Sequence, residues 1–228
     1  MMTDTDFKQI AQNKADIQLR MNKAAIRGPG EQTVTLVAVS KVQPDSRIEA
    51  GLASGQLVFG ENRVQEAQKR WTQRRASFSE LELRLIGPLQ TNKAEDAVTL
   101  FDVIETLDRP KLARALAKAM TKTGRRPDIL IQINTGEEPQ KGGVLPKDFP
   151  ALLALSKELD LPVCGLMCIP PADEPPGPHF ALLAKLARGH GLSLLSMGMS
   201  ADYETAIRFG ATHVRIGSAF FGAREKTP

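Results

Sequence analysis

The hydrophobic positions of the chain form short apolar runs that alternate with segments of helical periodicity. Apolar residues recur at three- and four-residue spacing over residues 7–25, which predicts a long first helix that ends at Gly28-Pro29-Gly30. Residues 34–39 are apolar at nearly every position, as expected for a parallel strand that is covered on both faces. Pro44-Asp45 then opens a second helix, which is predicted to reach residue 53.

The alternation of strand and helix continues to the end of the chain. Seven further strands are predicted at 57–59, 83–86, 102–104, 128–133, 163–167, 193–196 and 213–216. Between them, helices are predicted at 64–74, near 92, at 110–121, up to 159 and at 180–187.

Repeated strand-helix units predict a parallel sheet, and eight units favour one closed (β/α)₈ barrel of the TIM type. An open, doubly wound sheet is the alternative. It loses support because the sequence has neither a Gly-x-Gly-x-x-Gly run after the first strand nor a phosphate-loop motif. The sequence also contains no linker. We therefore expect a single domain over residues 1–228, with the N-terminal helix (residues 1–30) packed on the barrel.

Composition and charge narrow the choice of partners. Hydrophobic residues make up 42% of the chain and charged residues 25%, which is typical of a folded globular protein. The net charge is +4, but the basic residues are scattered, and their densest cluster, residues 69–75, lacks neighbouring aromatic residues that could stack on bases. We expect no nucleic-acid partner.

The cysteines and the N-terminus bear on metal binding and location. Cys164 and Cys168 lie in one apolar run with no histidine at metal-ligand spacing, so we expect buried thiols and no metal site. The N-terminus lacks a basic region followed by an apolar stretch, and no uncharged apolar run approaches the ~20 residues that span a bilayer. These features predict a cytoplasmic protein without a membrane partner.

In a barrel of this kind, chemistry is concentrated at the carboxyl ends of the strands. Lys41 follows the first predicted strand directly, where desolvation would lower its pKa and leave free amine to form a Schiff base with a carbonyl. A surface lysine is the alternative interpretation. Asn62 follows the second strand, where it either caps the next helix or faces the mouth of the barrel.

The loops after the last two strands favour a phosphate site. Ser200 follows the seventh strand and Gly217-Ser218 follows the eighth, so hydroxyls, backbone N–H groups and helix dipoles can converge there. Capping of the two helices by these serines is the alternative. Arg215 lies inside an apolar strand, where a guanidinium is costly to bury unpaired, so we expect it to point into the barrel mouth.

A nucleophilic lysine, a phosphate corner and an arginine between them describe a pyridoxal phosphate site. The aldehyde would react with Lys41, the phosphate would lie at Ser200 and Gly217-Ser218, and the ring nitrogen would lie near Arg215. An arginine at that nitrogen keeps it unprotonated and weakens the cofactor as an electron sink. This arrangement favours holding the cofactor over strong carbanion chemistry.

These residues carry a resemblance that covers nearly the whole chain. The sequence resembles the pyridoxal phosphate homeostasis proteins, which are related to the barrel domain of alanine racemase. The matching motifs occur in order along the chain: VAVSK at 37–41, FGEN at 59–62 with QE at 65–66, IGPLQTNK at 86–93, GLM at 165–167, LSMGMS at 195–200 and VRIG at 214–217.

The resemblance implies a barrel that holds pyridoxal phosphate as a Schiff base and acts in vitamin B6 homeostasis without an established catalytic reaction. Lys141 matches a further family lysine, which implies a role in cofactor exchange. Apo-enzymes that use pyridoxal phosphate are the implied partners, and a single barrel favours a monomer. Seven residues are assigned to cofactor binding: Lys41, Asn62, Met199, Ser200, Arg215, Gly217 and Ser218.

Three positions depart from the family pattern. Arg84 replaces the usual histidine of the third strand, Arg63 replaces a frequent aromatic residue, and Gln43 replaces a frequent basic residue. We expect none of them to contact the cofactor-binding residues. Their effects would then be limited to cofactor exchange and surface contacts.

Three other functions are weighed against a carrier. A pyridoxal phosphate-dependent amino-acid racemase needs a second acid/base opposite the lysine, and the chain's one tyrosine, Tyr203, follows Ser200 closely. A Schiff-base aldolase would be expected to have its lysine on a later strand with acid/base carboxylates nearby. Lys41 follows the first strand, and the obvious carboxylates at the strand ends are Glu61 and Asp108. A scaffold without a ligand would leave Lys41 and Arg215 unexplained. The histidines are expected in packing or solvent-facing positions.

Overall fold

The computed structural model describes residues 2–28 and 33–222. The strands are β1 (Thr35–Val39), β2 (Val58–Glu61), β3 (Glu82–Leu85), β4 (Val103–Leu107), β5 (Asp128–Ile133), β6 (Val163–Cys168), β7 (Leu194–Met199) and β8 (His213–Ile216). They form a closed parallel barrel in chain order, in which β8 pairs with β1. The predicted barrel is confirmed, and the open-sheet alternative is wrong.

Helices follow the strands and cover the outside of the barrel. They are α1 (Asp4–Ala25), α2 (Asp45–Ala53), α3 (Val64–Ser77), α4 (Ala94–Leu100), α5 (Pro110–Thr123), α6 (Phe149–Glu158), α7 (Pro176–Gly189), α8 (Tyr203–Arg208) and α9 (Ser218–Phe221), with a 3₁₀ turn at Thr91–Lys93 before α4. The predicted first helix is present, and α1 packs on α2, α8 and α9. Pro29 and Gly30, which were predicted to end it, lie outside the described residues.

The outer faces of the strands and the apolar faces of the helices form the main core. Phe59 of β2 packs against Trp71 of α3 with ring centroids 4.7 Å apart, and both side chains are fully buried. The basic cluster around Trp71 is ion-paired: Arg70 pairs with Glu61, and Arg75 pairs with Asp102. Its arginines therefore stabilise the packing of α3.

Three strands extend two or three residues beyond their predicted ends. β2 was predicted to end at residue 59 and instead reaches Glu61. β4 was predicted to end at residue 104, but it includes Glu105 and Thr106, which are both buried. β7 was predicted to end at residue 196 and instead reaches Met199. In β2 and β4 the predicted strand stopped before a glutamate, Glu61 or Glu105, and in β7 it stopped at Ser196. All three side chains are buried within the strands, at positions where a parallel-strand pattern predicts apolar residues.

The described residues include neither a membrane-spanning helix nor a cluster of metal ligands. None of the helices there has the length and hydropathy needed to cross a bilayer. No group of three or more histidine, cysteine or acidic side chains is arranged there to hold a metal ion.

Candidate functional site

A cavity of about 580 Å³ lies at the carboxyl ends of the strands. All seven residues that were assigned to the cofactor line it. Four further residues complete the wall: Val39, Ile86, Ile169 and Ala201. The structure therefore brings together side chains from the ends of β1, β2, β7 and β8, as expected when parallel strands end at one face of a barrel.

Lys41 lies in a tight turn between β1 and α2. The N–H of Gln43 donates to the carbonyl of Ser40 at 3.1 Å, and Lys41 is half-buried. Val42, the next residue, has a φ of 60°, which is a sparsely populated conformation for a β-branched residue. Such a backbone persists only where surrounding contacts hold it, so the turn needs support from elsewhere.

That support comes from Arg70 of α3, in a set of contacts that we call the turn clamp (Ser40, Gln43, Glu61 and Arg70). Arg70 Nη1 donates to the carbonyl of Ser40 at 3.1 Å, and Nη2 donates to the carbonyl of Gln43 at 3.2 Å. Arg70 also pairs with the buried Glu61 at 2.8 Å. Oε1 of Glu61 accepts further hydrogen bonds from the Ser40 hydroxyl at 2.7 Å and Trp71 Nε1 at 2.9 Å. The backbone on both sides of Lys41 is thus anchored to α3.

Asn62 lies in the bend between β2 and α3 and does not cap the helix. The cap position of α3 is occupied by Arg63, and no side chain makes a capping hydrogen bond there. Gly87 fixes the position of this bend, because a Cβ at residue 87 would lie 2.2 Å from the carbonyl oxygen of Asn62. The capping alternative for Asn62 is wrong, and its side chain is at the cavity.

The loops after β7 and β8 meet at one corner of the cavity. The hydroxyl oxygens of Ser218 and Ser200 are 3.5 Å apart, and neither serine makes a capping hydrogen bond. One part of the expectation is wrong: α8 begins only at Tyr203, and α9 has four residues, so helix dipoles contribute little. A phosphate at this corner would depend on the hydroxyls and on loop N–H groups.

Gly198 makes the β7 loop possible. Its φ is +89°, and a Cβ would lie 2.6 Å from the Cβ of Ala206 and 2.9 Å from the Cα of Tyr203. Only glycine combines this conformation with such a close approach of β7 to α8. The glycine of the LSMGMS motif therefore positions Met199 and Ser200.

Arg215 is 4% exposed and faces the cavity from β8. Its Nη1 donates to the Ser196 hydroxyl at 2.7 Å, and its Nη2 donates to the carbonyl of Cys168 at 2.8 Å. The Ser196 hydroxyl donates in turn to Glu105 Oε2 at 2.5 Å. The buried guanidinium is thus hydrogen-bonded, as its cost of burial requires.

Glu105 also binds Arg84, which links Arg84 to Arg215 indirectly. Arg84 Nε donates to Glu105 Oε1 at 2.5 Å inside the barrel. Burial alone would raise the pKa of Glu105, but the charges of Arg84 and Arg215 and the hydrogen bonds from Ser196 and Arg84 lower it below its usual value. As expected, Arg84 makes no hydrogen bond or ion pair with the cofactor-binding residues, but it shares the Glu105 carboxylate with Arg215. Nothing in the sequence pattern pointed to Glu105.

Cys168 and Lys141 lie near the cavity, whereas Cys164 lies near the amino end of β6. Cys168 is buried as expected, whereas Cys164 is only half-buried. Burial raises the pKa of Cys164 to about 11 and that of Cys168 to about 12, so both remain protonated near neutral pH. Lys141 pairs with Glu138 at 2.6 Å and donates to the carbonyl of Pro170 at 3.1 Å, next to the wall residue Ile169.

His213, at the start of β8, is buried and predicts a pH dependence of stability. Burial and the nearby charges of Arg84 and Arg215 lower its pKa from 6.5 to about 4, against the opposing effect of Glu105. Because the unfolded chain takes up this proton first, the free energy of unfolding falls as pH drops from 6.5 to 4, by about 3 kcal/mol. Urea denaturation across this range should show the loss in the wild type and a loss smaller by that amount in His213→Gln. If the free energy of unfolding fell equally with pH in the two proteins, His213 would not be the group responsible.

Comparison with known proteins agrees with this architecture. The family model for the alanine racemase N-terminal domain matches residues 17–225, which defines the class of barrel. The pyridoxal phosphate homeostasis protein of Pseudomonas aeruginosa is 40% identical over 226 residues, covering 95% of this chain and 96% of the relative. The protein of that name from Aquifex aeolicus is 41% identical over 217 residues, covering 90% and 94%.

A solved structure gives the same result. The structure of PipY from Synechococcus elongatus with PLP bound aligns with a TM-score of 0.80 at 33% identity, covering 93% of this chain and 100% of that one. The chain belongs to the pyridoxal phosphate homeostasis protein family. The resemblance found in the sequence motifs is confirmed.

Proposed function

We propose that this protein binds pyridoxal 5′-phosphate in the cavity at the strand ends and serves in its cellular homeostasis. The observation that carries the proposal is that Lys41, Arg215 and the two hydroxyls of Ser200 and Ser218 line one cavity. Each group matches one part of the cofactor: aldehyde, ring nitrogen and phosphate. The names of the relatives and the PLP in the PipY structure support the same ligand.

The residues present fit the cofactor in chemistry as well as in number. We assign the covalent attachment to Lys41, whose Nζ would bond to the aldehyde carbon with loss of water. Ser200, Gly217 and Ser218 would hold the phosphate, and Asn62 and Met199 would line the space around the ring. Pyridoxal phosphate supplies an electron sink when bound, and its ring nitrogen would accept a hydrogen bond from Arg215.

We infer a carrier and not an enzyme. An arginine at the ring nitrogen donates a hydrogen bond and supplies no proton-holding carboxylate, which weakens the electron sink. Tyr203 is buried under α1, with the Arg20 guanidinium 5.4 Å from its ring centroid, and it is not in the cavity wall. The acid/base that a two-base racemase requires is therefore not supplied by the chain's one tyrosine.

The protein loaded with pyridoxal phosphate is expected to exchange the α-proton of alanine no faster than free pyridoxal phosphate does. The physical reason is that the described residues lining the cavity include no tyrosine, histidine, cysteine or carboxylate that could act opposite Lys41. Proton NMR of L- and D-alanine in D₂O measures the exchange. Rapid loss of the α-proton signal with either enantiomer would instead favour the racemase.

The carrier would act in the cytoplasm as a monomer and deliver the cofactor to apo-enzymes that use it. Lys141 would assist release, because its ammonium group contacts the carbonyl of Pro170 beside the wall residue Ile169. An apo-enzyme regains activity when it receives the cofactor, so reactivation by the loaded protein tests delivery.

Titration with pyridoxal phosphate tests the proposed function. One equivalent is expected to give a new absorption band at about 420 nm, the region of a lysine-bound pyridoxal cofactor. Pyridoxal, which has the aldehyde but no phosphate, should bind much more weakly because it cannot use the Ser200 and Ser218 corner. If no band appears, the proposal fails. If pyridoxal binds as well as pyridoxal phosphate, the phosphate assignment fails.

A further inference from the structure

Four buried polar side chains inside the barrel form one chain of hydrogen bonds that ends at the cavity. It runs from Arg84 through Glu105 and Ser196 to Arg215, with distances of 2.5, 2.5 and 2.7 Å. None of the four is more than 4% exposed. Interiors of such barrels are usually filled by branched apolar residues, so a buried polar chain at this place calls for a specific role.

The chain has a fixed direction because of what each group can donate. A carboxylate only accepts hydrogen bonds, and a guanidinium only donates them. The single proton of the Ser196 hydroxyl must therefore go to Glu105, which leaves the lone pairs of the serine oxygen for Arg215 Nη1. Glu105 thus sets the rotation of the hydroxyl that holds one arm of the Arg215 guanidinium.

The chain also sets the charge beneath the cavity. Two arginines share the carboxylate of Glu105, but unequally: Arg84 Nε is 2.5 Å away, whereas Arg215 Nη1 is 4.0 Å away. Arg84 is additionally paired with Glu82. Since Arg84 is the direct partner of Glu105, the carboxylate compensates only part of the positive charge of Arg215. The electrostatic potential that Arg215 creates in the cavity therefore stays positive. That charge favours a hydrogen-bond acceptor on the bound ligand over a protonated ring nitrogen.

We infer that Glu105 and Ser196 are positioning residues that aim the Arg215 guanidinium at the ring nitrogen of the cofactor, with Arg84 holding Glu105 in place. This inference rests on the proposed function and deepens it. It also gives Arg84 a role at the cofactor site, where the family pattern has a histidine.

Ser196→Ala tests the inference most cleanly, because it leaves the Arg84–Glu105 pair intact. We expect pyridoxal phosphate to bind about tenfold more weakly, because Arg215 Nη1 loses the acceptor that holds its guanidinium in place. The pH midpoint of the band near 420 nm should move to higher pH, because a less well-held guanidinium opposes protonation of the cofactor less. A merely structural role would leave this midpoint unchanged.

The matched control is Ser156→Ala, which removes an equally buried hydroxyl whose hydrogen bond to the Leu152 carbonyl stays within α6. It should lose some stability but keep the wild-type affinity and pH midpoint. If Ser196→Ala does not fold, the double variant Arg84→Gln/Glu105→Gln takes its place in the test. This variant keeps the net charge of the protein, and the same changes in affinity and pH midpoint are expected.

The outcomes separate the two ideas. If the wild type gives no band, the proposed function itself fails. If the wild type binds the cofactor and the altered proteins match it in affinity and pH midpoint, the positioning role is overturned while the proposed function stands.

Discussion

Lys41→Ala is expected to abolish the absorption band near about 420 nm and to weaken binding of pyridoxal phosphate at least about 100-fold. The physical reason is that Lys41 supplies the one covalent bond, while the remaining residues offer only hydrogen bonds and packing. Residual weak binding should persist, because the Ser200 and Ser218 corner is untouched. Absorption spectroscopy together with equilibrium dialysis measures both effects.

Lys93→Ala is the matched control for Lys41→Ala. Lys93 also follows a strand, pairs with Asp96 at 3.3 Å and lines a neighbouring cavity of about 620 Å³, whose wall shares Asn62 with the cofactor cavity. It should keep the band and the wild-type affinity. A band that survives in Lys41→Ala but disappears in Lys93→Ala would move the attachment site to the second cavity.

Glu61→Gln is expected to lower the free energy of unfolding by about 3 kcal/mol, the low end for breaking a buried ion pair. The Glu61 carboxylate is fully buried and accepts hydrogen bonds from Ser40, Arg70 and Trp71. The glutamine amide oxygen can still accept these hydrogen bonds, but it carries no negative charge to compensate the partly buried guanidinium of Arg70. The turn that carries Lys41 should loosen, and binding of pyridoxal phosphate should weaken about tenfold or more.

Urea denaturation and cofactor titration test the effect of Glu61→Gln together. Glu49→Gln is the control, because Glu49 also pairs with an arginine of α3, Arg74 at 2.6 Å, but its side chain is 44% exposed. An exposed pair contributes about 1 kcal/mol or less, so this variant should be nearly unchanged in both measurements. If the two substitutions changed stability and cofactor affinity equally, the proposed support of the Lys41 turn by the turn clamp would be contradicted.

The fold could be predicted from the sequence because its signals are local. Apolar runs of strand length and helical spacing each depend on residues close together in the chain, and they recur eight times. The candidate cofactor-binding residues at the strand ends could also be predicted, since Lys41, Ser200 and Arg215 interrupt or follow apolar runs. The barrel topology alone then brings such residues to one face.

The supporting contacts could not be predicted, because they join distant parts of the chain. Ser196 and Glu105 are 91 residues apart, and Arg70 reaches the Lys41 turn from α3, the second helix after the turn. Arg70 lies in a basic cluster that resembles an exposed helix face, and Glu105 lies where a polar residue was taken to end a strand. Only the closed barrel shows that these charges are buried and which partner each one has.

The most direct test of the account is to locate the covalent link itself. Borohydride reduction of the protein loaded with pyridoxal phosphate fixes the cofactor on its lysine, and peptide mass spectrometry identifies that residue. We predict a single phosphopyridoxyl group on Lys41 in nearly every molecule. A modification spread over several lysines, or carried by another lysine such as Lys93 or Lys141, would contradict the assignment of Lys41 as the cofactor anchor.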